Sequence, residues 1–174
     1  MKHGLLTPEV RVRLLEASDE PLYEQLYGDE ATMRHVGPAL EQAQARRSFA
    51  AACRANQSTP PTARFWVIEQ TLENTPIGLI GLHWDGPASA ELGVVLPPCQ
   101  QGKGIATAAT RLLLEHAFGS LRLERLHTWH ALGHEPAAGL MASLGFAPSP
   151  DRSGREGQCW ELTAGQWRTS LCCP

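Results

Sequence analysis

The sequence predicts a mixed α/β domain built around one central sheet. Three observations carry that prediction. Helical patterns cluster early, a pair of apolar runs of hairpin spacing follows, and strand and helix patterns then alternate to the end.

The first strand is EVRVRLLEA, where Val10, Val12 and Leu14 alternate with Arg11 and Arg13. Ser18 or Asp19 is placed to cap a short helix carrying Leu22 and Leu26 at i, i+4, and Pro21 fits its first turn. Asp29 is placed to cap a second short helix ended by Gly37-Pro38. A third helix, near Glu41 to Ala55, gathers Ala45, Phe49, Ala52 and Cys53 on one face. Pro60-Pro61 closes this region. RFWVIEQ and PIGLIGLHW then read as strands joined by the polar loop TLENT, and AELGVVL as a further strand stopped by Pro97-Pro98. The helix Ile105 to Phe118 follows, with Gly119 as its C-cap. Its apolar face is Ile105, Ala109, Leu112, Leu113 and Ala117, while Thr110, Arg111 and Glu115 are expected to face water. LERLHTW is a strand, EPAAGLMASLGF a short helix running into a turn, and QCWEL a strand. Thr163 with Gln166 gives a capping box for a last helix.

The 174 residues suit one domain, 1–174, because a chain of this length buries enough surface to fold alone. A net charge of −3 argues against a nucleic-acid partner held by phosphate neutralisation. No apolar run approaches the ~20 residues that cross a bilayer, so no membrane partner is expected. MKHGLLTPEV has no long apolar stretch before a cleavage site, so no signal peptide is read. The five cysteines, Cys53, Cys99, Cys159, Cys172 and Cys173, are odd in number and share no spacing. That fits free thiols in a reducing cytoplasm, with Cys172 and Cys173 as an exposed terminal pair.

Chemistry points to VVLPPCQQGKGIATAATRLLLEHAF, residues 94–118. The first N–H groups of the following helix lack intrahelical partners and carry the positive end of its dipole. Gly102 and Gly104 have no side chain to hold a ligand away, so a phosphate can approach closely, and Lys103 can add charge. A P-loop is excluded because Lys103 is followed by Gly104, not Ser or Thr, and because Cys99 stands at the first-glycine position relative to Gly104; a dinucleotide fingerprint is excluded by Thr107.

Gln101-Gly102-Lys103-Gly104-Ile105-Ala106 does match the Q/R-x-x-G-x-G/A signature of the GNAT family of acetyl-CoA-dependent N-acetyltransferases. Its surroundings, AELGVVLPPCQQGKGIATAATRLLLEHAF and LERLHTWHALGHEPAAGLMASLGF, resemble the RimJ/RimL branch most closely over residues 90–146. The resemblance implies a mostly antiparallel central sheet, flanked by helices and splayed at a bulge beside the CoA-binding strand. It implies acetyl-CoA as cosubstrate, with the backbone of Val94, Val95 and Leu96 pairing with the pantetheine arm and the Val94 N–H polarising the thioester carbonyl. The pyrophosphate would lie at the turn Gln101, Gly102, Lys103, Gly104, Ile105, Ala106 and Thr107. The acceptor would be a small-molecule amine or a protein N-terminus, and homodimers are common among such enzymes.

Two positions depart from the family pattern. His134 stands where many members place a pantetheine-contacting asparagine, and Met141 where many place the tyrosine that acts as general acid. The only tyrosines, Tyr23 and Tyr27, lie in the first helices, which leaves the acid unassigned. For the base, Glu91 stands where members often carry a glutamate, and His83 is a second candidate with a naturally suitable pKa. Cys99 lies near the turn, but the family mechanism needs no covalent step. His127, His130 and His134 invite a metal reading, yet no cysteine or carboxylate completes a pattern, so no metal is expected. The acidic run Glu16, Asp19, Glu20, Glu24, Asp29 and Glu30 has a functional reading as an acceptor-cleft wall for a cationic amine, and a bland one as solvated helix faces and caps. The competing function class is a catalytically silent CoA-binding or peptide-binding module of the same fold.

Overall fold

The computed structural model describes residues 5–7, 10–150 and 157–172. The expected terminal thiol at Cys173 and residues 1–4, 8 and 9 of the N-terminal segment lie outside them. Among the described residues, eight strands form one sheet: β1 (Leu5–Leu6), β2 (Val10–Leu14), β3 (Ala63–Gln70), β4 (Thr75–Gly86), β5 (Ser89–Val95), β6 (Arg125–His130), β7 (Ala147–Pro148) and β8 (Gln158–Thr163). Their spatial order is β1-β2-β3-β4-β5-β6-β8-β7, and every neighbouring pair is antiparallel except β5–β6. Six helices flank it: α1 (Glu20–Gly28), α2 (Glu30–Met33), α3 (Gln42–Ala55), α4 (Ile105–Gly119), α5 (Glu135–Ser143) and α6 (Ala164–Cys172). The two-residue strands β1 and β7 were too short to carry an alternation.

Period-two side-chain placement divides the core into two layers. Ile80, Leu82, Leu92 and Leu126 pack with Leu113 and Leu114 of α4. On the other face Val67, Leu79 and Val95 pack with Tyr23 and Leu26 of α1 and Phe49 of α3. Each fully buried leucine on these faces contributes about 1.5–3 kcal/mol relative to exposure. The sheet is drawn tight at Gly78, where a Cβ would stand 2.8 Å from the Val95 carbonyl oxygen.

Several local expectations are corrected. Leu14 is 46% exposed and Leu15 is buried instead, because β2 ends there. The Leu15 N–H bonds the Phe65 carbonyl as the chain turns into a 3-10 turn, Ala17–Asp19. Asp19 precedes α1 but does not cap it with its side chain. Its buried carboxylate accepts from both Arg13 Nη atoms (2.7 and 2.8 Å) and from the Glu16 N–H (2.7 Å). Asp29 does cap α2 through the Thr32 N–H, although α2 stops at Met33, well before Gly37-Pro38. Gly119 is the last residue of α4 rather than its cap; Ser120 caps it. Thr110 is fully buried, not solvated, because α4 is enclosed on more than one side and Leu114 is also interior. The capping box of α6 is present, with the Thr163 N–H and hydroxyl on Gln166 Oε1 and the Gln166 N–H on Thr163 Oγ1.

Candidate active site

The parallel pair β5–β6 is the origin of the site. Register runs Ser89 to Arg125, Ala90 to Leu126 and Glu91 to His127, and stops there. β5 continues to Val95 against β4 alone, while β6 continues to His130 against β8. The strands therefore part, and the backbone edge of Leu92 to Val95 is left facing a cleft of about 1240 Å³. The expected bulge is not at this point. β4 and β5 stay in register from Leu79–Val95 to Trp84–Ala90, and the shift lies at the far end, between Trp84 and Gly86. The splay comes from the loss of β6 as a partner, not from an extra residue in β5.

The glycine turn closes one end of this cleft. Gly102 and Gly104 have φ of +72° and +76°, a left-handed conformation that residues with a Cβ adopt at a cost of about 1–2 kcal/mol. An added Cβ on either would meet nothing within 4 Å, so the space above them is open. Gln101 ties the turn to β5 by donating from Nε2 to the Leu96 carbonyl at 2.9 Å. No side chain caps α4, whose first N–H groups open toward the cleft at Ile105, Ala106 and Thr107. Two unobstructed left-handed glycines ahead of an uncapped helix N-terminus fit a pyrophosphate. Val94, Val95, Leu96, Gln101, Gly102, Gly104, Ile105, Ala106, Thr107 and His134 all line the cleft. Lys103 does not, and its Nζ bonds Gln100 Oε1 at 3.3 Å.

Both candidate bases reach the cleft from adjacent strands. His83 and Glu91 stand directly opposite each other in the β4–β5 register, on the sheet face away from α4. One row further, Gly81 faces Gly93, and a Cβ on Gly93 would meet nothing within 4 Å. That row is an open floor beside Glu91, with Phe65 lying over Gly81.

The early helices supply the other wall, as the resemblance implies, but through residues that no sequence pattern singles out. Met141 is buried against the cleft where the family tyrosine would stand, but Tyr27 of α1 lines the cleft from the opposite side. Burial first, and then Tyr23, pushes its phenol above the usual range. His134 precedes α5 and stacks on His35, the ring centroids 4.1 Å apart. Burial first, then His35 and His130, holds the His134 imidazole below its ordinary value. His130 is fixed as the Nδ1–H tautomer: Trp160 can only donate, and its Nε1–H bonds His130 Nε2 at 2.8 Å, leaving Nδ1 to donate to the Ala131 carbonyl at 2.9 Å. Nothing in the spacing of His35, Tyr27 or Trp160 signalled these roles, because each meets the site through tertiary packing.

The acidic run does not form the cleft wall. Asp19 is bound to Arg13, Glu24 to Arg46 and Gln42, and Asp29 caps α2. Tyr27, Thr32, Arg34 and His35 line the cleft on that side, whereas Glu24, Asp29 and Glu30 line a separate open depression. Among the described residues, no group of three or more His, Cys, Asp or Glu is arranged to hold a metal ion, and no helix is long and apolar enough to cross a membrane.

A mostly antiparallel sheet opened beside one parallel pair, with an anion-receptive turn at the mouth of the opening, defines an acyl-CoA-binding transferase fold. Residues 9–147 match the acetyltransferase (GNAT) domain family. The chain therefore belongs to the GNAT family of N-acetyltransferases. No curated protein matches the sequence. Solved structures of the same fold include spermidine N-acetyltransferase from Vibrio cholerae in complex with CoA and spermine, at 20% identity and a TM-score of 0.78, covering 93% of this chain and 99% of that one. RimL, the ribosomal L7/L12 alpha-N-protein acetyltransferase solved with CoA, has 14% identity and a TM-score of 0.80 over 92% and 98% of the chains. An acetyltransferase from Agrobacterium tumefaciens str. C58 has 23% identity and a TM-score of 0.79 over 92% and 94%. At such identities the likeness is one of fold.

Proposed function

We propose that the protein transfers an acetyl group from acetyl-CoA directly to a primary amine, a small molecule or a protein N-terminus, within a ternary complex. The observation that carries this reading is the parting of β5 from β6 after Glu91 and His127, which exposes a backbone edge next to the glycine turn. An amide-bearing pantetheine arm pairs with such an edge as a strand would. The turn from Gln101 to Thr107 receives the pyrophosphate, and the Val94 N–H polarises the thioester carbonyl.

Glu91, through a water molecule, accepts the proton that the amine must lose to attack. His83 stands across from it and is the alternative base. The carbon–nitrogen bond forms, the carbon–sulfur bond breaks, and CoA leaves as a thiolate of pKa ~8.5, a fair leaving group even before protonation. One domain spanning 1–174, a RimJ/RimL-like branch, a cytoplasmic location and a homodimer complete the proposal. The spermine bound in the Vibrio cholerae structure and the protein acceptor in RimL's name support small amines and protein N-termini as the acceptor classes to be screened.

Thiol release from acetyl-CoA across polyamines, aminoglycosides, amino acids and N-terminal peptides, with mass spectrometry of the product, tests the reading. Acetylated amine formed in step with free thiol supports it. Tight CoA binding with no release above the buffer rate would favour the silent module, the reading to which Met141 lends weight.

A further inference from the structure

The sheet face away from α4 carries one row of titratable side chains. His83 on β4, Glu91 on β5, His127 on β6 and Glu161 on β8 are successive register partners. Glu161 is turned toward Arg125, 3.9 Å away. His127 is only 2% exposed. Its Nε2 lies 3.7 Å from Glu91 Oε2 and 3.7 Å from Asp85 Oδ2. Its Nδ1 is buried and has no hydrogen-bond partner.

An unpartnered buried nitrogen is destabilising, so the placement needs a reason. The two carboxylates supply a direction. With acceptors on the Nε2 side and none at Nδ1, the ring proton belongs on Nε2, and the Nε2–H points between Asp85 and Glu91. Glu91 is the residue assigned above as base, and His127 has no part in that assignment.

We propose that His127 is a positioning residue for Glu91. Its Nε2–H holds the Glu91 carboxylate toward the sheet beside His83 and stands between the negative charges of Glu91 and Asp85. The inference rests on Glu91 being the base. Without the imidazole, Glu91 loses an N–H donor on that side while the Asp85 charge stays nearby, and its carboxyl keeps its proton to higher pH. Less of the base is then available on the acid side of the profile.

The experiment uses the full chain, with acetyl-CoA and two probe acceptors, spermine and a peptide with a free N-terminal serine. In His127→Leu the pH at which kcat/KM reaches half its plateau should rise by about one unit, so that kcat/KM falls up to about tenfold on the acid limb while acetyl-CoA affinity stays unchanged. His127→Gln, which keeps an N–H donor, should restore most of the loss. Adding Asp85→Asn to His127→Leu should bring the half-point back down. Nitrogen shifts of the His127 ring in the wild-type protein should report a proton on Nε2. An unmoved half-point in a folded His127→Leu variant, or a ring protonated on Nδ1, overturns the inference. If His127→Leu does not fold, the ring nitrogen shifts decide: a proton on Nε2 keeps the inference and a proton on Nδ1 removes it. Glu91→Gln separates the two claims. Retained activity there removes the base itself, whereas lost activity with an unmoved His127→Leu profile removes only the positioning role.

Discussion

Glu91 on β5 and His127 on β6 are the last residues the two strands hold in register, and the cleft begins immediately beyond them. The candidate base thus sits at the fork of the sheet. Its backbone is fixed on both sides, while the residues after it offer their backbone edge to a ligand.

The turn glycines give the first expectation. Gly104→Val places a branched side chain at φ +76° and into open space that the proposed pyrophosphate needs. The dissociation constant for CoA, measured by calorimetry, should rise at least tenfold. Stability should fall by only about 1–2 kcal/mol, since no neighbour lies within 4 Å of the new Cβ. Unchanged affinity in the folded variant would remove the turn from the site.

Cys99 is exposed and does not line the cleft. Cys99→Ala should therefore keep its acetyl-transfer rate, and initial-rate patterns with two varied substrates should be intersecting rather than parallel. An acetyl group trapped on Cys99 during turnover would replace direct transfer with a two-step mechanism.

Tyr27 gives an expectation for both catalysis and pH. Tyr27 lines the cleft, but burial raises its phenol above the usual range, which makes it a poor proton donor to a thiolate of pKa ~8.5. Tyr27→Phe should therefore leave kcat and acetyl-CoA affinity essentially unchanged, the thiolate departing unassisted; a severalfold loss of kcat would make Tyr27 part of the transfer step. The linkage sign follows from a folded-state pKa above the unfolded value. The folded state binds the proton more tightly, so this contribution is fully present below about pH 10 and is lost as pH rises beyond it. Thermal unfolding on either side of that pH should show a decline that Tyr27→Phe reduces.

Arg13 tests the structural reading of the acidic run. It bonds Asp19 and Glu69, whose carboxylates are almost wholly buried, and both neighbours hold its guanidinium charged. Arg13→Leu leaves those carboxylates without this partner and should cost about 3–5 kcal/mol in urea unfolding. A loss below about 1 kcal/mol would mean that the ion pairs are solvated instead.

Much of this architecture was legible because local patterns and packing agree. The apolar runs RFWVIEQ and PIGLIGLHW, a hairpin loop apart, located β3 and β4, and the glycines ahead of Ile105 located the anion-receptive turn. Leu14 was misjudged because alternation carries no signal for where pairing stops, and one residue past that point Leu15 enters the core. The splay was legible only through resemblance, since a lost strand partner leaves no mark on either strand's own pattern. Asp19 and Glu24 looked like a charged surface because sequence spacing does not show Arg13 and Arg46 folding back onto them. His35 and His134 meet face to face from distant segments, which no periodicity encodes.

Amide hydrogen exchange with and without acetyl-CoA tests the central claim most directly, because it reads the backbone edge that the splay exposes. Protection should appear in two segments, at Val94 to Leu96 and from Gln101 to Thr107, and Gly104→Val should weaken both together. Binding that protects neither segment, or that protects only the depression near Glu24 and Glu30, would contradict an acetyl-CoA site at the fork between β5 and β6.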